Sequence, residues 1–365
     1  MSAADGDELT GGAADDGAAV GAGASDDGLP APPRLSADWT PIRFYWQAEA
    51  PFVDWCHTGG VRFNAPFFDH TIEQCLRHPF NALCRPQTPA AAVAAATAGT
   101  PTHAPAGFIF HLSRCGSTVV SRMLAALPRH VVVSEPSVLD GVLRAPFKHP
   151  HVTLHDLAAW LRALVGALGR PRSADEQRFF VKFDGWQAVC LPFVRRVFPE
   201  VPCLFVYREP VEVMASQLRS PARWVTPGFL PPHLLGLDFY EQYTLAPADY
   251  CARVLAVICR AALAETEARP DGSDAALFRL VNHRQLPAVV TDELLHFFRL
   301  TTTDAERDAM RATTKFHAKE PARRYTDDSA AKRRAAGEDV QQAAARWINP
   351  LYEQLEARRL NTPQA

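Results

Sequence analysis

Four short apolar runs, each followed by a helical pattern, constrain the fold of this 365-residue chain more than any other feature. The predicted strands lie at 108–112, 131–134, 179–183 and 203–207. They are apolar without alternation, which is typical of parallel strands covered by helices on both faces. The pattern therefore predicts an α/β domain with a three-layer, parallel-sheet architecture.

Helical patterns dominate the rest of that domain. Beyond the fourth strand, the sequence predicts a helix over 248–268, a further strand at 277–281 and a helix over 291–298. A polar, basic stretch follows, and its last predicted helix spans 339–357. We therefore expect one domain over 107–358 with a helical C-terminal region.

Three segments of different composition precede residue 107. Residues 1–35 are rich in Ala, Gly, Asp and Ser, which predicts a disordered acidic tail. Residues 36–86 carry ten Trp, Phe and Tyr side chains between Trp39 and Phe80, which predicts a packed aromatic-rich module. Residues 87–106 are built mainly from Ala, Thr and Pro, and this composition predicts a linker.

Composition and charge exclude several classes of protein. Apolar residues make up 47% of the chain, which is ordinary for a globular protein, and the net charge is only −2. The first 33 residues hold seven acidic and no basic side chains, so the remainder carries +5, too little to predict a nucleic-acid partner. No run is long and apolar enough to span a membrane, and the first residues lack the features of a secretory signal. We expect a cytoplasmic protein without a membrane partner, and the dispersed His and Cys residues predict no metal site.

The most informative segment joins the first strand to its helix. Arg114, Cys115, Gly116, Ser117 and Thr118 form a short turn at a predicted helix N-terminus. Such a turn can bind an anion through backbone N–H groups, the helix dipole and hydroxyl donors. The Walker A motif has Lys directly after its last Gly, whereas this chain has Ser117, which disfavours an ATPase or GTPase. The helix N-terminus is expected to lower the pKa of the Cys115 thiol, but the sequence shows no His and carboxylate partners for it and favours a packing or loop role over nucleophilic catalysis.

Polar residues also follow the other strands. Arg208 ends the fourth strand, and Ser216 lies eight residues later on the following helix, so the two could hold a second phosphate together. Glu135 follows the second strand and places a carboxylate at the same edge of the sheet. Lys182 at the end of the third strand would bring a second cation to this crevice, and Asp184 caps the next helix or faces the crevice.

Together these residues resemble the sulfotransferase family, over roughly residues 107–220. The family's 5′-phosphosulfate loop matches residues 114–118, and its Arg–Ser pair for the 3′-phosphate matches Arg208 and Ser216. The Arg in the first loop and the 21-residue spacing to Glu135 look most like the tyrosylprotein branch. The resemblance implies a three-layer P-loop NTPase-like fold and 3′-phosphoadenosine 5′-phosphosulfate as co-substrate, with no metal.

The same resemblance implies roles in transfer of a sulfuryl group to a hydroxyl acceptor. Arg114 would stabilise the transferring group, Lys182 the leaving group, and Glu135 would act as the base. Asp184 is the alternative base, since the cytosolic branch has its catalytic His at that position. Lys319 lies in a loose counterpart of the family's late basic loop over the nucleotide.

Two other functions stay open at this stage. One is a nucleotide-dependent kinase on the same fold, and the other is a non-catalytic anion-binding protein that recognises a sulfated or phosphorylated partner. The sequence also leaves tyrosine, sugar, lipid and small-alcohol acceptors open, because no motif identifies the acceptor.

Overall fold

The computed structural model describes residues 34–267, 275–324 and 328–361. Nearly all of the predicted acidic tail, residues 1–33, lies outside these ranges. Within them, no helix has the length and apolar character needed to cross a bilayer.

A five-stranded parallel sheet forms the centre of the fold, in the order β5-β6-β4-β7-β8. Its strands are β4 (Pro105–His111), β5 (His130–Ser134), β6 (Arg178–Lys182), β7 (Cys203–Tyr207) and β8 (Phe278–Asn282). All five predicted strands are present, within about three residues of their expected bounds. The α/β fold with a parallel sheet and a helical C-terminal region is therefore confirmed.

Successive side chains of the sheet enter two separate apolar cores. On β4, Phe108 and Phe110 join one core, and Ile109 between them joins the other. On β7, Phe205 and Val206 divide in the same way. Adjacent residues of a strand point to opposite faces of the sheet, so the two cores lie on its two faces. Helices cover both faces, and this explains why the strands are apolar without alternation.

Helices surround the sheet and complete the C-terminal region. They are α1 (Phe68–Leu76), α2 (Pro79–Leu83), α3 (Val93–Ala96), α4 (Ser117–Ala125), α5 (Ser137–Lys148), α6 (Leu154–Leu168), α7 (Leu191–Val197), α8 (Pro210–Arg219), α9 (Glu241–Thr244), α10 (Pro247–Ala264), α11 (Leu295–Phe297), α12 (Asp304–Ala312), α13 (Ser329–Ala335), α14 (Glu338–Trp347) and α15 (Asn349–Asn361). Val290–Leu294 is a π-helical turn, and short 3₁₀ segments lie at Ala90–Ala92, Gly185–Cys190, Arg223–Val225, Pro232–Leu235, Ala275–Leu277, His283–Gln285 and Thr313–Lys315.

The aromatic-rich segment folds as a small antiparallel sheet of β1 (Trp39–Gln47), β2 (Ala50–His57) and β3 (Gln87–Pro89). Trp55 is fully buried, and its indole N–H donates to the Thr88 hydroxyl across β2 and β3 at 3.0 Å. Phe44 packs against Trp160 of α6, with ring centroids 5.6 Å apart. This sheet, called the N-terminal sheet below, therefore packs directly on the helical layer of the α/β fold.

Two segments differ from the sequence-based expectation. The first half of the expected linker contains β3 and α3, and its Val93 and Ala96 side chains are buried in the larger core. Small apolar side chains there fit closely against neighbours, which composition alone does not reveal. The expected last helix is divided into α14 and α15 at Ile348, because Pro350 has no N–H to continue the first helix.

A two-residue strand, β9 (Phe316–His317), pairs with β10 (Glu320–Arg324) in a separate hairpin. The hairpin follows α12, and its turn at residues 318–319 lies over the carboxyl edge of the parallel sheet.

Candidate active site

A cavity of about 770 Å³ lies at the carboxyl edge of the parallel sheet. The chain leaves β4 toward β5 on one side and leaves β7 toward β8 on the other, so the sheet reverses its winding here. Open α/β sheets bind ligands at such switch points. Residues that end or follow four of the strands line the cavity: His111 after β4, Glu135 after β5, Asp184 after β6 and Arg208 after β7. His283, after β8, completes the set.

The turn between β4 and α4 forms one wall and is unusual in its backbone. Ser113, Arg114 and Gly116 have φ values of +68°, +52° and +89°, all in the left-handed region. A Cβ on Gly116 would lie 2.6 Å from Leu286 and 2.8 Å from His283, so only glycine fits. Ser117 and Thr118 begin α4 and are buried against the cavity. The turn thus exposes backbone N–H groups and a helix N-terminus, an arrangement that suits an anion.

Glu135 lies opposite this turn and is held as a carboxylate. The Lys182 ammonium, fully buried at the end of β6, donates a hydrogen bond to it. Burial alone would raise the pKa of Glu135, but the Lys182 charge and His111 lower it well below its usual value. Its backbone adopts φ +56°, which is strained for a residue other than glycine, and strain of this kind is concentrated at functional sites.

His111 is a site residue that the sequence interpretation missed. Its ring is only 4% exposed, and Nδ1 accepts a hydrogen bond from the Ser113 N–H at 2.9 Å. Nε2 lies 3.3 Å from the Glu135 carboxylate. Burial, and then the Lys182 charge, lower the pKa of His111 to about 4, so the ring is neutral at pH 7.

Asp184 lines the cavity, but its carboxylate already has structural partners. It accepts hydrogen bonds from the Gly185 N–H at 2.6 Å and from the Trp224 indole N–H at 3.1 Å, and so caps the 3₁₀ segment after β6. Burial and the negative charge of Glu135 raise the pKa of Asp184 to about 7. The two candidate bases are therefore in opposite electrostatic environments.

Arg208 and Ser216 both line the cavity on the α8 side, and both are at least 95% buried. The Arg208 guanidinium donates to Glu212 at 2.5 Å, to Asp328 at 3.2 Å and to the Ser329 hydroxyl at 2.9 Å. Burial would lower the pKa of Arg208, but these two carboxylates raise it. The Arg208 guanidinium is therefore a permanent positive charge that already donates to carboxylate oxygens.

Residues from the ends of the chain close the remaining walls. Lys332 of α13 lines the cavity and pairs with Asp328 at 2.9 Å. Phe67, which precedes α1, lies with its ring 5.4 Å from the Lys182 nitrogen and 5.3 Å from the Lys319 nitrogen. Desolvation, followed by the charges of Lys182 and Arg114, lowers the pKa of Lys319 to about 8. Among the residues that line the cavity, five Arg and Lys side chains thus outnumber the carboxyl groups of Glu135, Asp184 and Asp328.

The expected lowering of the Cys115 pKa is wrong. Its thiol is fully buried, points at the Val206 carbonyl at 3.1 Å, and has a pKa raised to about 11 by burial. The side chain faces the core below the turn, so the helix N-terminus does not activate it. Cys115 contributes to the turn through its backbone and its packing.

The structure brings most of the sequence-predicted residues together. Arg114, Gly116, Ser117, Thr118, Glu135, Asp184, Arg208, Ser216 and Lys319 line one cavity, and Lys182 contacts it through Glu135. Arg114 also donates to the Ser220 carbonyl at 2.6 Å. His111, His283, Lys332 and Phe67 were not predicted, because each reaches the cavity through the fold rather than through a local motif. No group of three or more His, Cys, Asp or Glu side chains able to hold a metal occurs in the described ranges.

Comparisons with known proteins give matches among solved structures alone. No protein-family model and no curated protein sequence matches the chain. A sulfotransferase from Mycobacterium tuberculosis H37Rv is 18% identical over 68% of this chain and 77% of its own, with a TM-score of 0.36. A sulfotransferase from Mycobacterium avium is 13% identical over 78% and 81% of the two chains, with the same TM-score of 0.36. The sulfotransferase domain of the Synechococcus PCC 7002 olefin synthase is 15% identical over 72% and 98%, with a TM-score of 0.37.

Proposed function

We propose that the protein is a sulfotransferase that moves a sulfuryl group from 3′-phosphoadenosine 5′-phosphosulfate to a hydroxyl acceptor. One observation carries this proposal: Arg114, Glu135, Arg208 and Ser216 converge on one cavity, where Lys182 is hydrogen-bonded to Glu135. This set contains an anion-binding turn, a separate buried cation with a hydroxyl, and an ionised carboxylate between them.

The donor side of the cavity suits a nucleotide with two phosphate positions. The turn at residues 114–118 offers backbone N–H groups and a helix N-terminus to the 5′-phosphosulfate. Arg208 and Ser216 offer a guanidinium and a hydroxyl to the 3′-phosphate, with Lys332 beside them. The Asp328 carboxylate accepts one N–H of Arg208, so a bound phosphate would replace one anion with another.

The acceptor side suits in-line displacement. The Glu135 carboxylate would take the proton of the acceptor hydroxyl as its oxygen forms the new bond to sulfur. The bond from sulfur to the phosphate oxygen breaks, and its electron pair leaves with 3′-phosphoadenosine 5′-phosphate. Arg114, Lys182 and the turn N–H groups would stabilise the charge on the transferring and leaving oxygens.

Glu135 fits the role of base better than Asp184 does. Asp184 already accepts two hydrogen bonds, one of them from a neighbouring indole, and its raised pKa leaves it partly protonated near pH 7. Glu135 is ionised and faces the cavity. We assign Asp184 to capping and to positioning Trp224.

Thermal denaturation with 3′-phosphoadenosine 5′-phosphate tests the donor site, with ATP and Mg²⁺ as the competing nucleotide. At about 100 times its dissociation constant the bisphosphate should stabilise the protein by roughly 2.7 kcal/mol, a shift of a few degrees. Arg208→Gln should lose most of the shift, whereas Arg162→Ala on the exposed face of α6 should keep it. Stabilisation by ATP alone would favour the kinase instead, and stabilisation by neither nucleotide would overturn the donor assignment.

Transfer from labelled donor to a panel of phenols, sugars and alcohols then tests the chemistry. Glu135→Gln should keep the bisphosphate shift and lose about 10²- to 10⁴-fold in transfer rate, the usual contribution of a general base. A Glu135→Gln variant as active as the original protein, or a protein that binds the bisphosphate and transfers to no acceptor, would contradict the assigned reaction.

A further inference from the structure

We propose that neutral His111 is a positioning residue for Glu135, fixing the carboxylate through an Nε2–H that the Ser113 backbone holds in place. The contact between His111 and Glu135 is argued from geometry, and its importance for catalysis rests on the proposed function.

The tautomer of His111 follows from its two contacts. Nδ1 accepts the Ser113 N–H at 2.9 Å, so Nδ1 carries no proton. A neutral ring then carries its proton on Nε2, the atom 3.3 Å from Oε1 of Glu135. This nitrogen has no hydrogen bond of regular geometry to any described residue, the residue is 4% exposed, and the Glu135 carboxylate lies beside it. We therefore assign Glu135 as the acceptor of this buried, unpartnered N–H.

The contact also ties the base to the anion-binding turn. Ser113 has φ +68°, and its N–H points back to the histidine at the end of β4. The Ser113 hydroxyl in turn accepts from Gln217 of α8 at 3.0 Å. The buried side chains of His111 and Ser113 thus connect the Glu135 carboxylate to the turn between β4 and α4, and the turn to α8. These contacts restrain the distance between the proposed base and the turn.

The role is distinct from that of Lys182. The other charged groups near Glu135 are Lys182, Arg114, Lys319 and Asp184. The proposed reaction uses Lys182 and Arg114 at the transferring and leaving oxygens, Lys319 lies beside Phe67, and the Asp184 charge repels Glu135. His111 is then the donor beside Glu135 to which the proposed reaction gives no other role. His111 would keep one carboxylate oxygen occupied and leave the other directed at the acceptor.

The structure provides a matched control in His130. This ring is also buried, at 3% exposure, and its pKa is also lowered to about 4 by burial. Its Nδ1 lies 2.9 Å from the Leu124 carbonyl, and it packs on Phe180 rather than on the cavity. Substitution of His130 therefore reproduces the loss of a buried imidazole without touching Glu135.

The test measures the ionisation of Glu135 directly and needs no turnover. The ¹³C resonance of the Glu135 carboxyl, assigned with Glu135→Gln, is titrated in a Lys182→Met background, where the strongest neighbouring charge is gone and the titration moves into an accessible range. His111→Phe should raise the pKa of Glu135 by about one unit, the size expected for one lost hydrogen bond to a charged group. His111→Gln, which keeps an N–H at the end of the side chain, should restore most of the lower value, and His130→Phe should leave it unchanged.

An unchanged Glu135 titration in His111→Phe, or an equal shift in His130→Phe, would overturn the inference. In the protein with Lys182 intact, His111→Phe should also move the acidic limb of the transfer rate to higher pH. Because the carboxyl titration is read without donor or acceptor, a failure of the proposed function would appear separately, as missing bisphosphate binding.

Discussion

Two carboxyl groups at neighbouring strand ends have opposite properties because of what surrounds them. Glu135 faces an ammonium and an imidazole N–H and stays ionised, whereas Asp184 is buried beside the Glu135 charge and has a pKa raised to about 7. Environments that separate the pKa values of paired carboxyl groups are typical of sites that use one as a base. Asp184 would then be retained for a structural reason, because its carboxyl group caps the 3₁₀ segment after β6.

The raised pKa of Asp184 predicts a stability that falls as pH rises. The folded state binds a proton between pH 4 and 7 that the unfolded chain, with a pKa near 3.8, has lost, so the free energy of unfolding decreases across that window. Asp184→Asn keeps an oxygen for the Gly185 and Trp224 N–H groups and removes the titration. The difference in unfolding free energy, Asp184→Asn minus the original protein, should increase by about 1–3 kcal/mol from pH 5 to pH 8, measured by urea unfolding.

Asp308→Asn is the control, because that carboxylate is 77% exposed on α12. Its stability relative to the original protein should be the same at both pH values. A gap for Asp184→Asn that does not change with pH would show that Asp184 is ionised in the folded state throughout this range.

At the level of single residues, the sequence predicted those that belong to local patterns. Arg114 and Gly116 lie in one turn, and Arg208 and Ser216 lie two helical turns apart, so spacing alone relates them. His111 acquires its meaning from Glu135, a residue of another strand, and the sequence contains no signal for that contact beyond a polar residue ending an apolar run.

At the level of elements, the turn between β4 and α4 concentrates conformational strain. Ser113 and Arg114 in this turn, together with Glu135 after β5, are three of the five non-glycine residues with positive φ in the described ranges. The strands and helices around them are regular, which is why their bounds were predictable from apolar runs. The turn was recognisable by its residue types, but its left-handed backbone and the close approach of His283 and Leu286 to Gly116 are visible only in the fold.

Gly116→Ala should destabilise the protein more than the left-handed backbone at this position alone would require. Gly236 is the matched control: it has φ +65°, and a Cβ there meets nothing within 4 Å. Gly236→Ala should cost about 1–2 kcal/mol for the left-handed backbone. Gly116→Ala should cost a further 1–3 kcal/mol, roughly, for the overlap with Leu286 and His283.

Urea unfolding and bisphosphate binding distinguish the two substitutions. Gly236→Ala should bind as the original protein does, and Gly116→Ala should lose at least about 10-fold in affinity as the turn moves. Equal destabilisation and equal binding would mean that the packing against His283 yields easily and that the turn tolerates a side chain.

At the level of the whole molecule, the N-terminal sheet and the α/β fold meet along α5. The Ser137 hydroxyl donates to the Ile42 carbonyl of β1 at 2.9 Å, and Gly141 brings α5 against the Phe44 backbone. The aromatic composition predicted a packed module but not this contact, because a glycine in a helix gives no sign of what approaches it. The segment that joins β2 to β3 also contributes Phe67 to the cavity wall.

Two glycine-to-alanine substitutions inside helices should therefore have opposite signs. A Cβ on Gly141 would lie 2.5 Å from the Phe44 carbonyl oxygen, a backbone atom fixed by the pairing of β1 with β2, whereas a Cβ on Gly166 of α6 meets nothing within 4 Å. Alanine normally stabilises a helix interior by about 0.5–1 kcal/mol relative to glycine, which is the expected result for Gly166→Ala. Gly141→Ala should instead destabilise by about 1–3 kcal/mol as α5 and β1 separate. Thermal midpoints give the sign of each effect, and limited proteolysis should show faster cleavage within residues 39–57 in Gly141→Ala alone. Stabilisation by both substitutions would mean that contacts other than those with α5 hold the N-terminal sheet in place.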